Sequence, residues 1–356
     1  MQLLRVTIEH VRPIRSLTLD LTAEDGHPSR RRVLLGPNGA GKSTVLDCIA
    51  HVFLQTPLRR RARGRTLKSS DVRQVGGPDD ERPSRGRIEI EAEVLLPEGS
   101  DLAGPDGERL IRGTKSFDVG REAAFEQSET SGHQPSDAEL AGIILSDVGD
   151  SSEDRFWTIA RRVMAESTGA ACVLLPAGRA LRLPERMPIG LLQTEFGPHD
   201  RSLDRGSVRY AQLVHSLALG LAAPDRSDRH GRVARLRKVL DDFVPDLPRL
   251  VGAEQGFTLL LENQHHIQLS LEELSDGERA VLLLLAEVAL RVPSRGVVLI
   301  DELEQHIHPR WQRAALDALR VLAPTTQFII TTHSPTVAAY ADADVVDIGG
   351  WQMRGA

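Results

Sequence analysis

The sequence predicts an α/β fold built on a mainly parallel sheet, and three observations carry that expectation. From Asp276 onward, short apolar runs alternate with amphipathic helical stretches. A glycine-rich turn at Gly36–Ser43 joins an apolar run to a further helical pattern, and the amino-terminal residues alternate apolar and polar side chains as half-buried strands do. Strands separated by helices of this length require crossover connections, which cover both faces of a parallel sheet.

Taken in order, residues 2–8 and 16–21 read as two antiparallel strands forming a β-subdomain, and Arg32–Leu35 as a short buried strand. Lys42–Leu54 places Val45, Leu46, Ile49, Val52 and Phe53 on one helical face. Arg87–Leu96 alternates again, as a strand with one wet face. From Pro97 to Asp154, Gly, Ser, Asp and Glu dominate, the composition of an inserted region. Order returns with an apolar strand at Cys172–Pro176, helical patterns at Val208–Leu221 and Val233–Phe243, and a hairpin from Phe257–Leu261 and His266–Leu271. The carboxyl-terminal part reads as helix Asp276–Arg291, strand Gly296–Ile300, helix Arg310–Leu322, strand Gln327–Thr331 and strand Asp344–Ile348. The domain reading is one head made of residues 1–98 and 171–356, with a helical lid at about 201–250, interrupted by a helical or irregular insertion at 99–170.

Composition narrows the function classes. Hydrophobic residues make up 40% and charged residues 26% of the 356, which excludes disorder throughout. Cys48 and Cys172 lack CxxC spacing, so neither a disulfide framework nor a cysteine zinc site is expected. MQLLRVTIEH has no signal-peptide apolar run, and the apolar stretch Ala280–Leu290 is broken by Glu287 and too short to span a bilayer. A cytoplasmic protein without a membrane part of its own is expected. A net charge of -6 gives no global attraction for nucleic acid, so DNA contact would have to be local. The basic run Leu58–Lys68, with Arg59–Arg61 at its centre, is the candidate, although no aromatic residues interleave it for base stacking.

Four motifs carry chemistry. The stretch Gly36, Pro37, Asn38, Gly39, Ala40, Gly41, Lys42, Ser43 has the pattern of a phosphate-binding loop between strand and helix, where glycines let backbone N–H groups face the phosphates. Lys42 would reach the outer phosphates of ATP, Ser43 would bind Mg2+, and Thr44 would lie near the inner phosphate. Val297–Glu302 (VVLIDE) is a buried strand ending in two acids: Asp301 to hold Mg2+ through water, and Glu302 to orient or deprotonate the attacking water. Leu274–Glu278 (LSDGE) opens a long helix, and Ser275 and Glu278 have capping-box spacing, so the motif alone could be only a well-made helix start. Its order and spacing before the acidic strand are those of an ATP-binding-cassette signature, in which Ser275, Gly277 and Glu278 would meet nucleotide held by another subunit. Thr331–Pro335 (TTHSP) puts His333 at a strand end, where it could sense the terminal phosphate.

With these residues in view, the chain resembles ATP-binding-cassette ATPases of the SMC, RecF and OLD type. The resemblance is closest to bacterial AAA-family ATPases whose acidic strand runs into a histidine-proline motif, here DELEQHIHP at Asp301–Pro309, with Leu303 where the family more often has proline. VLLPAGR at Val173–Arg179 and ELSDGERA at Glu273–Ala280 extend it. The resemblance implies a P-loop head that hydrolyses ATP with Mg2+ as a head-to-tail homodimer and transmits closure to a partner protein, an effector or DNA, in anti-phage defence or DNA repair. It leaves no room for a Toprim nuclease domain after His333. Gln74 is the candidate for the family's Q-loop residue. Rival readings are an ATP-gated scaffold with little turnover and the ATPase half of a membrane importer.

Other features imply less. His306 with His308, and His265 with His266, lack the spacing that sets two imidazoles on one helical face. The acids Asp147–Asp154 miss the glycine and glutamate positions of a calcium loop and read as a solvated stretch.

Overall fold

The computed structural model describes residues 1–11, 13–54, 86–96, 110–119, 160, 172–175, 207–222, 231–253, 258–292, 295–341 and 344–348. Its strands are β1 (Gln2–Val11), β2 (Ile14–Asp20), β3 (Arg31–Leu35), β4 (Gly86–Leu95), β5 (Leu110–Val119), β6 (Cys172–Leu175), β7 (Arg249–Ala253), β8 (Leu259–Glu262), β9 (Gln268–Leu269), β10 (Val297–Ile300), β11 (Gln327–Thr332) and β12 (Val345–Asp347). The helices are α1 (Lys42–Leu54), α2 (Ser207–Ala222), α3 (Arg232–Phe243), α4 (Asp276–Arg291), α5 (Pro309–Leu322) and α6 (Pro335–Ala341).

The central sheet has the order β12-β3-β11-β10-β6, and every pairing in it is parallel. Side-chain alternation along its strands sorts residues onto two cores. Val33, Val298, Ile300, Phe328 and Ile330 pack with α2, α3, α4 and α5. Leu34, Val297, Leu299 and Ile329 face the opposite way, with Val45, Leu46 and Ile49 of α1 and the inward side of a second sheet. Burial on both faces is why β10 and the Phe328–Ile330 stretch of β11 are apolar without a break.

The second sheet is antiparallel, in the order β2-β1-β4-β5. Its outermost strand β5 lies inside the stretch expected as an insertion. Pairs such as Ile88 with Phe117 continue the antiparallel sheet into residues 110–119. Buried Gln327 ties the two sheets together: its side-chain amide accepts from Leu3 N at 2.8 Å and donates to Leu3 O at 2.8 Å. A side-chain amide can replace a peptide partner in this way, here beside the register shift between Leu3 and Arg5.

A third, small sheet joins β7, β8 and β9, and it adds a strand to the hairpin expected at 257–271. Asn263 closes that hairpin by accepting from His265 N at 2.9 Å and Ile267 N at 3.0 Å. The basic run 58–68, Gln74 and the acids at 147–154 lie outside the described residues.

Candidate functional site

Because β3, β11 and β10 are adjacent and parallel, their carboxyl ends deliver three loops to one edge. Gly36–Gly41 follows β3, Asp301 and Glu302 follow β10, and His333 follows β11. The first loop turns at Gly39 (φ 81°) and Gly41 (φ 92°), backbone conformations that suit glycine. Gly41 is also confined sterically: a Cβ there would stand 3.0 Å from Ile14 and 3.1 Å from Pro13. Pro37, Asn38 and Gly39 form the exposed tip of this loop, while Ala40 is buried and Thr44 half-buried.

Lys42 opens α1 and is 5% exposed. Its Nζ donates to Gly36 O at 2.8 Å and Pro37 O at 3.1 Å, and meets His333 Nε2 at 2.7 Å. Burial pushes its pKa below the ordinary lysine value, against the opposing pull of the carboxylates of Glu302, Asp301 and Glu304. Ser43 Oγ donates to Asp301 Oδ1 at 3.0 Å. A hydroxyl and a carboxylate in contact at a helix amino terminus are hard oxygen donors suited to Mg2+, and the loop and Lys42 beside them suit phosphate.

The acidic pair is held with unusual completeness. Asp301 N donates to Leu175 O at 2.8 Å and Leu303 N to Thr331 O at 3.1 Å. Between them, Glu302 N donates to Thr331 Oγ1 at 2.8 Å, and the same hydroxyl donates to Asp301 Oδ1 at 2.6 Å. Pinning three successive amides keeps Glu302 at φ 48°, a left-handed conformation that a glutamate adopts only when its surroundings impose it. The Glu302 carboxylate stands 3.8 Å from His333 Nε2.

Lys42, Ser43, Asp301, Glu302 and His333 thus meet in one cluster. Ser275, Gly277 and Glu278 lie apart from it, at the amino terminus of α4. There Ser275 accepts from Glu278 N, while the Glu278 carboxylate accepts from Ser275 N at 2.8 Å and Ser275 Oγ at 2.7 Å. Glu278 therefore acts within the chain as the cap that orients Ser275. Ser275 and Asp276 are exposed. Ser275 and Gly277 line a surface pocket of about 450 Å³ with His306–His308, Arg310 and Trp311. Within this pocket His308 is the N-cap of α5, accepting from Arg310 N. His266 pairs with Glu262 at 3.0 Å in the hairpin.

Sequence reasoning misses Thr331 and Glu304. Thr331 is fully buried, and Glu304 accepts hydrogen bonds from Thr332 Oγ1 and His333 N. Both residues lie within the quoted motifs, but only the strand order shows what they touch.

A mainly parallel sheet with a phosphate loop after β3 and acids after β10, flanked by an antiparallel sheet, defines an α/β fold of the P-loop nucleotide-binding kind. Residues 33–339 match the family described as "AAA domain, putative AbiEii toxin, Type IV TA system", and the chain belongs to that family. Among curated relatives it is 36% identical over 112 residues to "Retron Ec83 probable ATPase" of Escherichia coli, covering 28% of this chain and 20% of that protein. It is 35% identical over 129 residues to "Retron Vc95 probable ATPase" of Vibrio cholerae serotype O1 biovar El Tor, covering 32% and 25%. It is 39% identical over 72 residues to "Septu protein PtuA" of Bacillus mycoides (strain KBAB4), covering 18% and 10%. The chain thus spans a quarter or less of the length of these relatives. Among solved structures, an SMC head bound to the C-winged helix domain of ScpA aligns over 96% of this chain and 92% of that one, at 14% identity and a TM-score of 0.47. Among the described residues no helix is long and apolar enough to cross a membrane.

Proposed function

We propose that this chain binds Mg2+ and ATP between two copies arranged head to tail and hydrolyses the ATP. The observation that supports this best is the cluster at the ends of β3, β10 and β11, where Ser43 meets Asp301 and Lys42 meets His333 with Glu302 alongside. In this reading Lys42 and the backbone of Gly36–Gly41 cradle the phosphates. Ser43 and Asp301 hold Mg2+, which when bound supplies positive charge to the phosphate oxygens. Glu302 takes a proton from the attacking water as that oxygen bonds to the terminal phosphorus and the bond to the ADP oxygen breaks. His333 faces the terminal phosphate.

The exposed amino terminus of α4 supports the second half of the reading. Ser275 and Gly277 belong to a helix end open to a neighbour, and they would complete the site held by the other copy's phosphate loop. A helical lid from α2 and α3 and an insertion ending near residue 170 remain the domain reading, with the first boundary moved past β5. Relatives named as retron and Septu proteins favour a setting in anti-phage defence over DNA repair, with ATP-driven closure passed to a separate partner protein or to DNA.

Steady-state ATP turnover of the wild type against Glu302→Gln tests the chemistry. Loss of a general base lowers the rate by about 100-fold or more. Equal rates would remove Glu302 from the mechanism and favour an ATP-gated scaffold with negligible hydrolysis.

A further inference from the structure

The segment carrying His333 is gripped from both sides by the stretch of chain that follows Glu302. On one side, the Glu304 carboxylate accepts from Thr332 Oγ1 at 2.7 Å with one oxygen and from His333 N with the other. On the other side, Ser334 Oγ donates to Gln312 Oε1 at 2.7 Å, and buried Gln312 is itself fixed by donating from Nε2 to Ile307 O at 3.1 Å. Thr332 Oγ1 also accepts from Ser334 N at 2.9 Å, closing the loop of contacts around the histidine.

The chemistry of the grip centres on the His333 amide. Where β11 ends, His333 N–H is a fixed donor that needs an acceptor oxygen, whereas the Thr332 hydroxyl beside it can either donate or accept; the Glu304 carboxylate serves both. Fixing the His333 amide fixes the direction in which its side chain leaves the strand. That direction brings Nε2 within 2.7 Å of Lys42 Nζ and 3.8 Å of Glu302.

We propose that Glu304 is a positioning residue for His333, with Gln312 as its counterpart across the histidine, so that the turn and helix that follow Glu302 also aim the phosphate-facing imidazole. The proposal rests on the reading of His333 given above. Misplacing a group of this kind by about 1 Å costs up to about 100-fold in rate.

The test is a double-mutant cycle on ATP turnover together with a direct probe of the ring. Glu304→Ala and His333→Ala are each expected to lower kcat by about 10-fold to 100-fold with a smaller change in KM, and the double variant to be no slower than His333→Ala alone. Glu304→Gln keeps one acceptor oxygen for His333 N and is expected to recover most of the rate. Rate losses that multiply in the double variant overturn the proposal, because Glu304 would then act independently of His333. In nucleotide-free protein, the His333 imidazole resonance should move in Glu304→Ala and stay close to its wild-type position in Glu304→Gln. An unmoved resonance in Glu304→Ala overturns the positioning role whatever the turnover. Should His333→Ala turn over normally, the phosphate-facing reading of His333 fails, and the resonance still decides whether Glu304 sets the ring.

Discussion

Replacing Thr331 with valine removes one hydroxyl and no volume, and should loosen both acids of the site at once. Thr331 is fully buried, donates to Asp301 Oδ1 at 2.6 Å and accepts from Glu302 N at 2.8 Å. A hydrogen bond to a charged acceptor contributes about 1.5–3 kcal/mol, and an amide left unsatisfied costs about 1–3 kcal/mol. The methyl gained in place of the hydroxyl returns about 1 kcal/mol of apolar burial. The net loss is about 1.5–5 kcal/mol. Equilibrium urea unfolding of Thr331→Val against wild type and Thr331→Ser measures it, because serine keeps the hydroxyl and gives up only a methyl group. A loss below about 0.5 kcal/mol for valine, or equal losses for valine and serine, would refute the idea that this hydroxyl holds the acidic pair.

Three further outcomes follow from other residues. Glu302 sits at φ 48°, so Glu302→Gly should be about 1 kcal/mol more stable than Glu302→Ala in thermal unfolding, with neither variant hydrolysing ATP; equal stabilities would mean that the backbone there is unstrained. Gln327→Leu strands Leu3 N and Leu3 O between the two sheets and should cost about 2–4 kcal/mol in urea unfolding, an effect absent if the amide is dispensable. Burial lowers the pKa of Lys42, so as pH falls the unfolded chain takes up this proton before the folded one does. Lys42→Met should therefore be relatively more stable near neutral pH, with its advantage shrinking as pH rises toward the ordinary lysine value of 10.5; a stability difference that does not change with pH would contradict the shift.

The central sheet is legible in the sequence because its strands are buried on both faces and its connections are long helices. Val297–Ile300 and Phe328–Ile330 are apolar without interruption, and their neighbours repeat with helical period. Strand β5 is not legible, since LIRGTKSFDV mixes charge and glycine, and its place in a sheet depends on pairing with β4. Helix α6 escapes because PTVAAYA is short and opens on proline. Lys42, Ser43, Asp301, Glu302 and His333 stand out by residue type and spacing alone. Thr331 and Glu304 do not, because a threonine in a buried strand and a glutamate in a turn acquire their partners only from the order β3-β11-β10.

The shared, two-copy site is tested most directly by mixing two inactive variants, Lys42→Ala, which spoils the phosphate loop, and Ser275→Arg, which blocks the helix end offered to the neighbour. Each should fold and hydrolyse no ATP alone. Random pairing should leave one intact site in each mixed dimer, so an equal mixture should recover about a quarter of wild-type turnover. A mixture as inactive as its components, with both variants folded, would contradict a site built from two copies.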